Sequence, residues 1–161
     1  MGETQKMIRT YDAVPASVPE ARHALAAFAA DAGAASEELD AIRLATSEAL
    51  TNVVVHAYDG GPGHVHVSAA IAEDELWVLI GDDGGGLHAG STRGGLGVGL
   101  VLIAELSDSF AIVNRSSGGT EVRMRFQLEK VRRRPEGGGQ SVRWSASSAA
   151  RPAPSTFSTI R

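Results

Sequence analysis

Five consecutive apolar residues, Leu76-Trp77-Val78-Leu79-Ile80, lie between Glu75 and Gly81. A strand with no polar position has no face to offer water, so the run predicts a central strand of a sheet. His64–Ala72 before it alternates weakly, and Asp74 falls in a tight turn between the two, which predicts a hairpin. Ser109–Asn114 and Glu121–Leu128 read as the last strands, joined by the turn Ser116-Ser117-Gly118-Gly119. In the second of these, Val122, Met124, Phe126 and Leu128 point one way and Arg123, Arg125 and Gln127 the other. Met7–Val14 reads as an edge strand.

Three helices fit between the strands. Ser17-Val18-Pro19-Glu20 has the features of a helix start, with Ser17 as the cap and Glu20 where a capping box wants it. Ala21, Leu25, Phe28 and Ala32 then recur at helical spacing, and Gly33 marks the stop. Ser36 is the expected cap of the longest helix, about 36–57. Glu37 and Glu38 stand near its positive end, and Leu39, Ile42, Ala45, Ala49, Val53 and Ala57 mark its buried side. Asp59-Gly60-Gly61-Pro62-Gly63 ends it. Residues 82–97 are glycine-rich and read as a loop, and Val98–Leu106 as a short helix. The order predicts an α+β fold: a two-layer sandwich with a mixed, mostly antiparallel sheet and helices on one face.

Composition narrows the function classes. Without cysteine, the chain has no disulfide, thiolate metal site or cysteine nucleophile. Aromatic residues are 5%, so the core is built from Ala, Val, Leu and Ile. No apolar run reaches the roughly 20 residues of a membrane span, and Met1–Tyr11 lacks the apolar stretch of a secretory signal; a cytoplasmic protein is expected. Residues 1–130 carry 9 basic and 18 acidic residues, net −9, and form the expected folded domain. Residues 131–161 carry six arginines and one glutamate, net +5, in a Gly, Ser, Ala and Pro-rich tail that is expected to be disordered. An acidic body does not favour nucleic acid, whose affinity comes mainly from neutralised phosphates.

Three segments can carry chemistry. Glu48 and Asn52 stand four apart on the long helix, so they share a face at the edge of its apolar stripe. A carboxylate there can take the proton of an attacking hydroxyl, and an amide oxygen is a hard ligand suited to Mg²⁺; the same pair on an ordinary helix is a solvated Glu and a polar Asn. Asp82-Asp83-Gly84-Gly85-Gly86 follows the central strand. An Asp at a strand end followed by glycines lets a flat ligand reach the backbone and can accept a hydrogen bond from its amine; the plainer reading is an acidic turn. Gly94-Gly95-Leu96-Gly97-Val98-Gly99-Leu100 opens a helix, where amides and the positive dipole end attract phosphate; the plainer reading is a flexible loop. The Walker Gly-Lys-Ser/Thr is absent, as is a Rossmann strand–helix–strand context.

In their order these segments resemble the GHKL ATPases, the group of sensor histidine kinases, gyrase B, MutL and heat-shock chaperones. Glu48-xxx-Asn52 resembles the family's N box, Asp82-x-Gly84-x-Gly86 its first glycine box, Gly95-Leu96-Gly97-Val98-Gly99-Leu100 its second, and Gly118-Gly119-Thr120 its closing Gly-Thr element. The resemblance implies ATP and Mg²⁺ as ligands. Asp82 would bind the adenine amine, Gly84 and Gly86 would give the base room, and Asn52 would hold Mg²⁺. Glu48 would be the general base, Gly95, Gly97 and Gly99 would lie against the phosphates, and Thr120 would bond near the adenine.

Leu44 to Tyr58 closely resembles the same helix in the anti-sigma-factor serine kinase branch. That branch implies a protein that sequesters a sigma factor, phosphorylates a serine or threonine of an anti-sigma-factor antagonist, and commonly forms a homodimer. Two alternatives are a nucleotide-dependent switch without phosphoryl transfer and a detached histidine-kinase-type domain. The expected lid is short, with seven residues from Leu87 to Arg93, which favours the switch. Asp83 stands where Asn is common and receives no role. His64 and His66 share a strand face and could pair on a metal, and Trp77 is expected in the core.

Overall fold

The computed structural model describes residues 4–85 and 96–129. Its elements, in chain order, are β1 (Gln5–Asp12), α1 (Ser17–Asp31), α2 (Ser36–His56), β2 (His64–Ala72), β3 (Glu75–Asp82), α3 (Leu96–Leu106), β4 (Ser109–Asn114) and β5 (Thr120–Gln127). Gly86, Arg93, Gly95 and the tail of residues 131–161 lie outside the described residues.

The strands form one sheet in the order β1-β2-β3-β5-β4, with the apolar run of β3 at its centre. Every pairing is antiparallel, so the sheet is not mixed as the sequence suggested. The reason lies in the connection from β3 to β4. These strands run in the same direction, but β5 folds back by a hairpin and inserts between them, so no parallel neighbours arise.

One side of the sheet carries the helices. Val65, Val67, Ala69 and Ile71 of β2, Leu76, Val78 and Ile80 of β3, and Val122, Met124, Phe126 and Leu128 all enter one apolar cluster with Leu25, Ile42, Leu50 and Ile103 of the helices. The buried alanines Ala21 and Ala29 of α1 and Ala45 and Ala49 of α2 carry small side chains at this interface, which lets helices approach closely. α2 lies between its partners: α1 packs along one flank and α3 along the other.

The opposite face has no helix, yet Trp77 is 6% and Leu79 is 6% exposed. In register, Trp77 stands between Ala70 and Arg125, and Leu79 between Ser68 and Arg123. The Arg125 guanidinium lies 6.0 Å from the Trp77 ring centroid and donates to Glu75 Oε1 at 2.9 Å. Trp77 is therefore buried as expected, but outside the main core, where arginine stems exclude water from it.

The helix starts differ from the expectation in one respect. Neither Ser17 nor Ser36 is a cap; both are first helical residues, behind Ala16 and Ala35, and neither cap position makes a side-chain hydrogen bond. At α1 a preceding backbone turn takes over, with Ser17 N–H donating to Val14 O and Val18 N–H to Pro15 O. At α2, Glu38 Oε2 accepts from Ala35 N–H at 2.6 Å, which is half of a capping box. The other oxygen of Glu38 accepts from Glu129 N–H at 2.6 Å, so one carboxylate joins the start of α2 to the end of the last strand.

Candidate functional site

Asp82 closes β3 and is 5% exposed. A carboxylate so buried must be hydrogen-bonded. Its Oδ1 accepts from the N–H of Gly84 at 2.8 Å and of Thr120 at 3.3 Å, one donor from each side of the strand end. Two backbone donors on one oxygen thus fix the orientation of the carboxylate.

Two glycines make this arrangement possible. Gly119 has φ +84°, and a Cβ there would overlap the Asp82 carbonyl oxygen. A Cβ on Gly84 would overlap the Ala57 carbonyl oxygen at the end of α2. The sequence reading gave Gly84 the task of making room for a base; in the structure the space is needed by the helix end, which also accepts a 3.4 Å bond from Gly85 N–H.

Glu48 and Asn52 lie on the flank of α2 that faces α3. A Cβ on Gly99 would stand 2.8 Å from Glu48 Oε2 and 3.7 Å from Asn52 Nδ2, so both side chains meet the first turns of α3. Asn52 Nδ2 is buried without a hydrogen-bond partner. An orphaned amide donor costs free energy unless an acceptor satisfies it, so its position beside a helix N-terminus fits an oxyanion such as a phosphate oxygen held there. Asn52 precedes Ala57 by five residues, about 8 Å along the helix at 1.5 Å per residue; one helix thus carries the polar pair and buttresses the Asp82 turn.

The glycines of the second box separate. Gly99 is buried against Glu48, whereas Gly97 has open surroundings. Thr120 contributes through its backbone N–H. The structure thus brings Asp82, Gly84 and Thr120 into one cluster and Glu48, Asn52 and Gly99 into another.

Several residues that sequence reasoning left without a role surround Asp82. Asp83 Oδ1 accepts from Arg115 Nη1 at 2.7 Å and Asp83 Oδ2 pairs with His66 Nε2 at 2.5 Å. Arg115 Nη1 also donates to the Asp82 carbonyl at 2.8 Å. The Tyr58 hydroxyl accepts from Asp83 N–H at 2.8 Å and donates to His64 O at 2.5 Å. Burial is the largest single influence on the Asp83 carboxyl and raises its pKa. The hydrogen bond and charge of His66, then the charge and hydrogen bond of Arg115, together outweigh it and hold the group below its ordinary 3.8. His66 is thus engaged by Asp83 and, through Nδ1, by Thr10, while His64 lies 3.7 Å from Asp12. Among the described residues no group of three metal-ligating side chains exists. A local signal for Arg115 was absent, because its partners are 32 and 33 residues away.

The model of the histidine kinase-like ATPase domain matches residues 11–126. The chain belongs to that family. It is 32% identical over 122 residues to the anti-sigma F factor of Oceanobacillus iheyensis, covering 68% of this chain and 84% of that one. It is 28% identical over 122 residues to the anti-sigma F factor of Clostridium acetobutylicum, covering 69% and 85%. The crystal structure of the RsbU and RsbW domains of Rv1364c from Mycobacterium tuberculosis superposes with a TM-score of 0.61 at 26% identity. That match covers 77% of this chain and 32% of the longer one. These likenesses put the chain with the anti-sigma-factor branch of the family. No helix of the described residues is long and apolar enough to cross a membrane.

Proposed function

We propose that this anti-sigma-type ATPase domain binds ATP with Mg²⁺ and transfers the γ-phosphoryl group to a serine or threonine of an antagonist protein, while its other state sequesters a sigma factor. The observation that carries the nucleotide reading is Asp82: a buried carboxylate at a strand end, oriented by two backbone donors on one oxygen. Such an acceptor suits the exocyclic amine of adenine. Asn52 would hold the magnesium ion through its amide oxygen, and the ion would supply charge neutralisation for the phosphates. Gly97 and the amides at the start of α3 would lie against those phosphates, with Gly86 and Gly95 completing the two glycine boxes.

Glu48 is the general base of this reading. It takes the proton of the attacking hydroxyl as that oxygen bonds to the γ-phosphorus and the bond from phosphorus to the β–γ bridging oxygen breaks, releasing ADP. Most of the rate then comes from positioning and electrostatics. The sigma-factor partner is supported by the names of the two anti-sigma F factors above; the antagonist comes from the resemblance of the Leu44–Tyr58 helix to the serine kinase branch.

Labelled ATP tests the transfer with a cognate antagonist and a sigma factor present. The expected result is acid-stable label on the antagonist, reduced by about 10²-fold or more in Glu48→Gln, the scale of a lost general base. Nucleotide binding with no transfer from wild type would establish a switch module instead. An acid-labile product would point to phosphohistidine chemistry.

A further inference from the structure

Asp82 is oriented through its own carboxylate, and the strand end that bears it is held separately. The structure provides a second set of contacts behind it. Gly81 precedes Asp82 and stands in register with His66 and Glu121, on the sheet face that has no helices. Arg115 lies across Gly81 in ordinary van der Waals contact: a Cβ there would be 3.5 Å from Arg115 Cδ and 3.6 Å from Nη1. From this position Nη1 reaches the Asp82 carbonyl and the Asp83 carboxylate together. Arg115 is itself anchored in the β4–β5 turn, its N–H bonded to Gly119 O and its carbonyl to Gly118 N–H.

We infer that Arg115 and Asp83 are positioning residues for adenine binding: a charged strap on the back of the sheet that holds the end of β3 against the β4–β5 turn and so sets the Asp82 carboxylate. The strap joins the two segments that supply the donors to Asp82 Oδ1, namely the turn containing Gly84 and the start of β5 at Thr120. Asp83 extends it to β2 through His66 and to the segment that follows α2 through Tyr58. With the strap released, the Asp82 backbone loses its only side-chain donor among the described residues, and the gap closed by Gly119 widens. The Arg115 side chain is 17% exposed and that of Asp83 45%, so the guanidinium is shielded and the carboxylate is open to solvent; the pair acts through its geometry, one Nη1 bridging two acceptors, more than through its charge.

This inference rests on the reading of Asp82 as the adenine acceptor, and the two are separable. Affinity for magnesium-free ADP and for Mg-ATP is measured by titration calorimetry on wild type, Arg115→Met, Arg115→Lys, Asp83→Ala and Asn52→Ala, at a temperature where each is folded. Arg115→Met and Asp83→Ala are expected to weaken both ligands by the same factor, about tenfold, or about 1.4 kcal/mol. Arg115→Lys keeps the charge on a side chain one bond shorter and is expected to restore part of the loss, and Asn52→Ala weakens Mg-ATP far more than ADP. A double Arg115→Met, Asp83→Ala variant binds no worse than either single variant, as partners in one contact should. Strap variants that melt earlier but bind with wild-type affinity would overturn the inference and leave the pair merely structural. If Arg115→Met does not fold, Asp83→Asn decides: a loss of about threefold or more, at least about 0.7 kcal/mol, supports the strap, and a smaller change overturns it. Wild type that binds neither ligand removes the site reading and the strap with it.

Discussion

Asp82 and Asp83 are adjacent acids with opposite surroundings. Asp82 faces the helices, buried, and is held by backbone amides; Asp83 faces the bare side of the sheet and is held by charged side chains. The depressed pKa of Asp83 has a consequence for stability. A carboxyl whose folded pKa lies below its unfolded value contributes stability above the unfolded pKa and loses it as pH falls through the folded one. The groups facing it are His66 from β2, Arg115 from the β4–β5 turn and the Tyr58 hydroxyl beyond α2. Relative to Asp83→Asn, wild type should therefore melt higher at neutral pH, and the difference should shrink as pH drops below 3.8. Thermal melts of both proteins on either side of pH 3.8 check this; a difference that does not shrink below that pH would contradict it. Gly99 offers a second residue-level test. Ala in a helix interior is favoured over Gly by about 1 kcal/mol, and the atom it would meet is the mobile end of Glu48. Gly99→Ala should melt at or above wild type while phosphoryl transfer falls, because Glu48 is displaced; unaltered transfer would show that the Glu48 position is not critical.

At the scale of elements, α2 divides its labour by flank. Its apolar stripe meets the sheet, one side takes α1, and the other brings Glu48 and Asn52 to α3. The attachment of α3 depends on few side chains: Ile103 is fully buried, with Leu100 and Leu106 partly so. Ile103→Ala should cost about 2–5 kcal/mol, as buried aliphatic truncations do, measured by denaturant unfolding. A loss below 1 kcal/mol would mean that α3 contributes little to the fold. Element positions were legible in the sequence because apolar periodicity reports burial directly. β2 and β4 carry the predicted boundaries, and β3 and the helices differ by a residue or two. The caps were not legible. Serine at a helix start reads as a cap, but a backbone turn at α1 and Glu38 at α2 satisfy the orphan amides instead. Glu38 was read only as a dipole-favourable acid; its bond to Glu129 spans 91 residues and has no local signature.

The whole molecule is a one-sided sandwich whose bare face is sealed by charge. Glu75, Trp77 and Arg125 close one part of that face, and His66, Asp83 and Arg115 close the end nearest Asp82. The spaced motifs Glu48-xxx-Asn52 and Asp82-x-Gly84 were readable because their spacing is local. The reason for each glycine was not: Gly84 and Gly119 are dictated by backbone carbonyls of Ala57 and Asp82, which only the tertiary fold brings near. The same holds for Arg115, whose turn and partner strand end are distant in sequence. The most direct test of the account is calorimetric titration of wild type and Asp82→Ala with ATP and ADP, with and without Mg²⁺. The account predicts saturable, magnesium-enhanced ATP binding by wild type. In the variant, the affinity falls by about 10²-fold or more, the scale of a lost hydrogen bond to a charged group. Absence of binding by folded wild type, or equal binding by the variant, would contradict it.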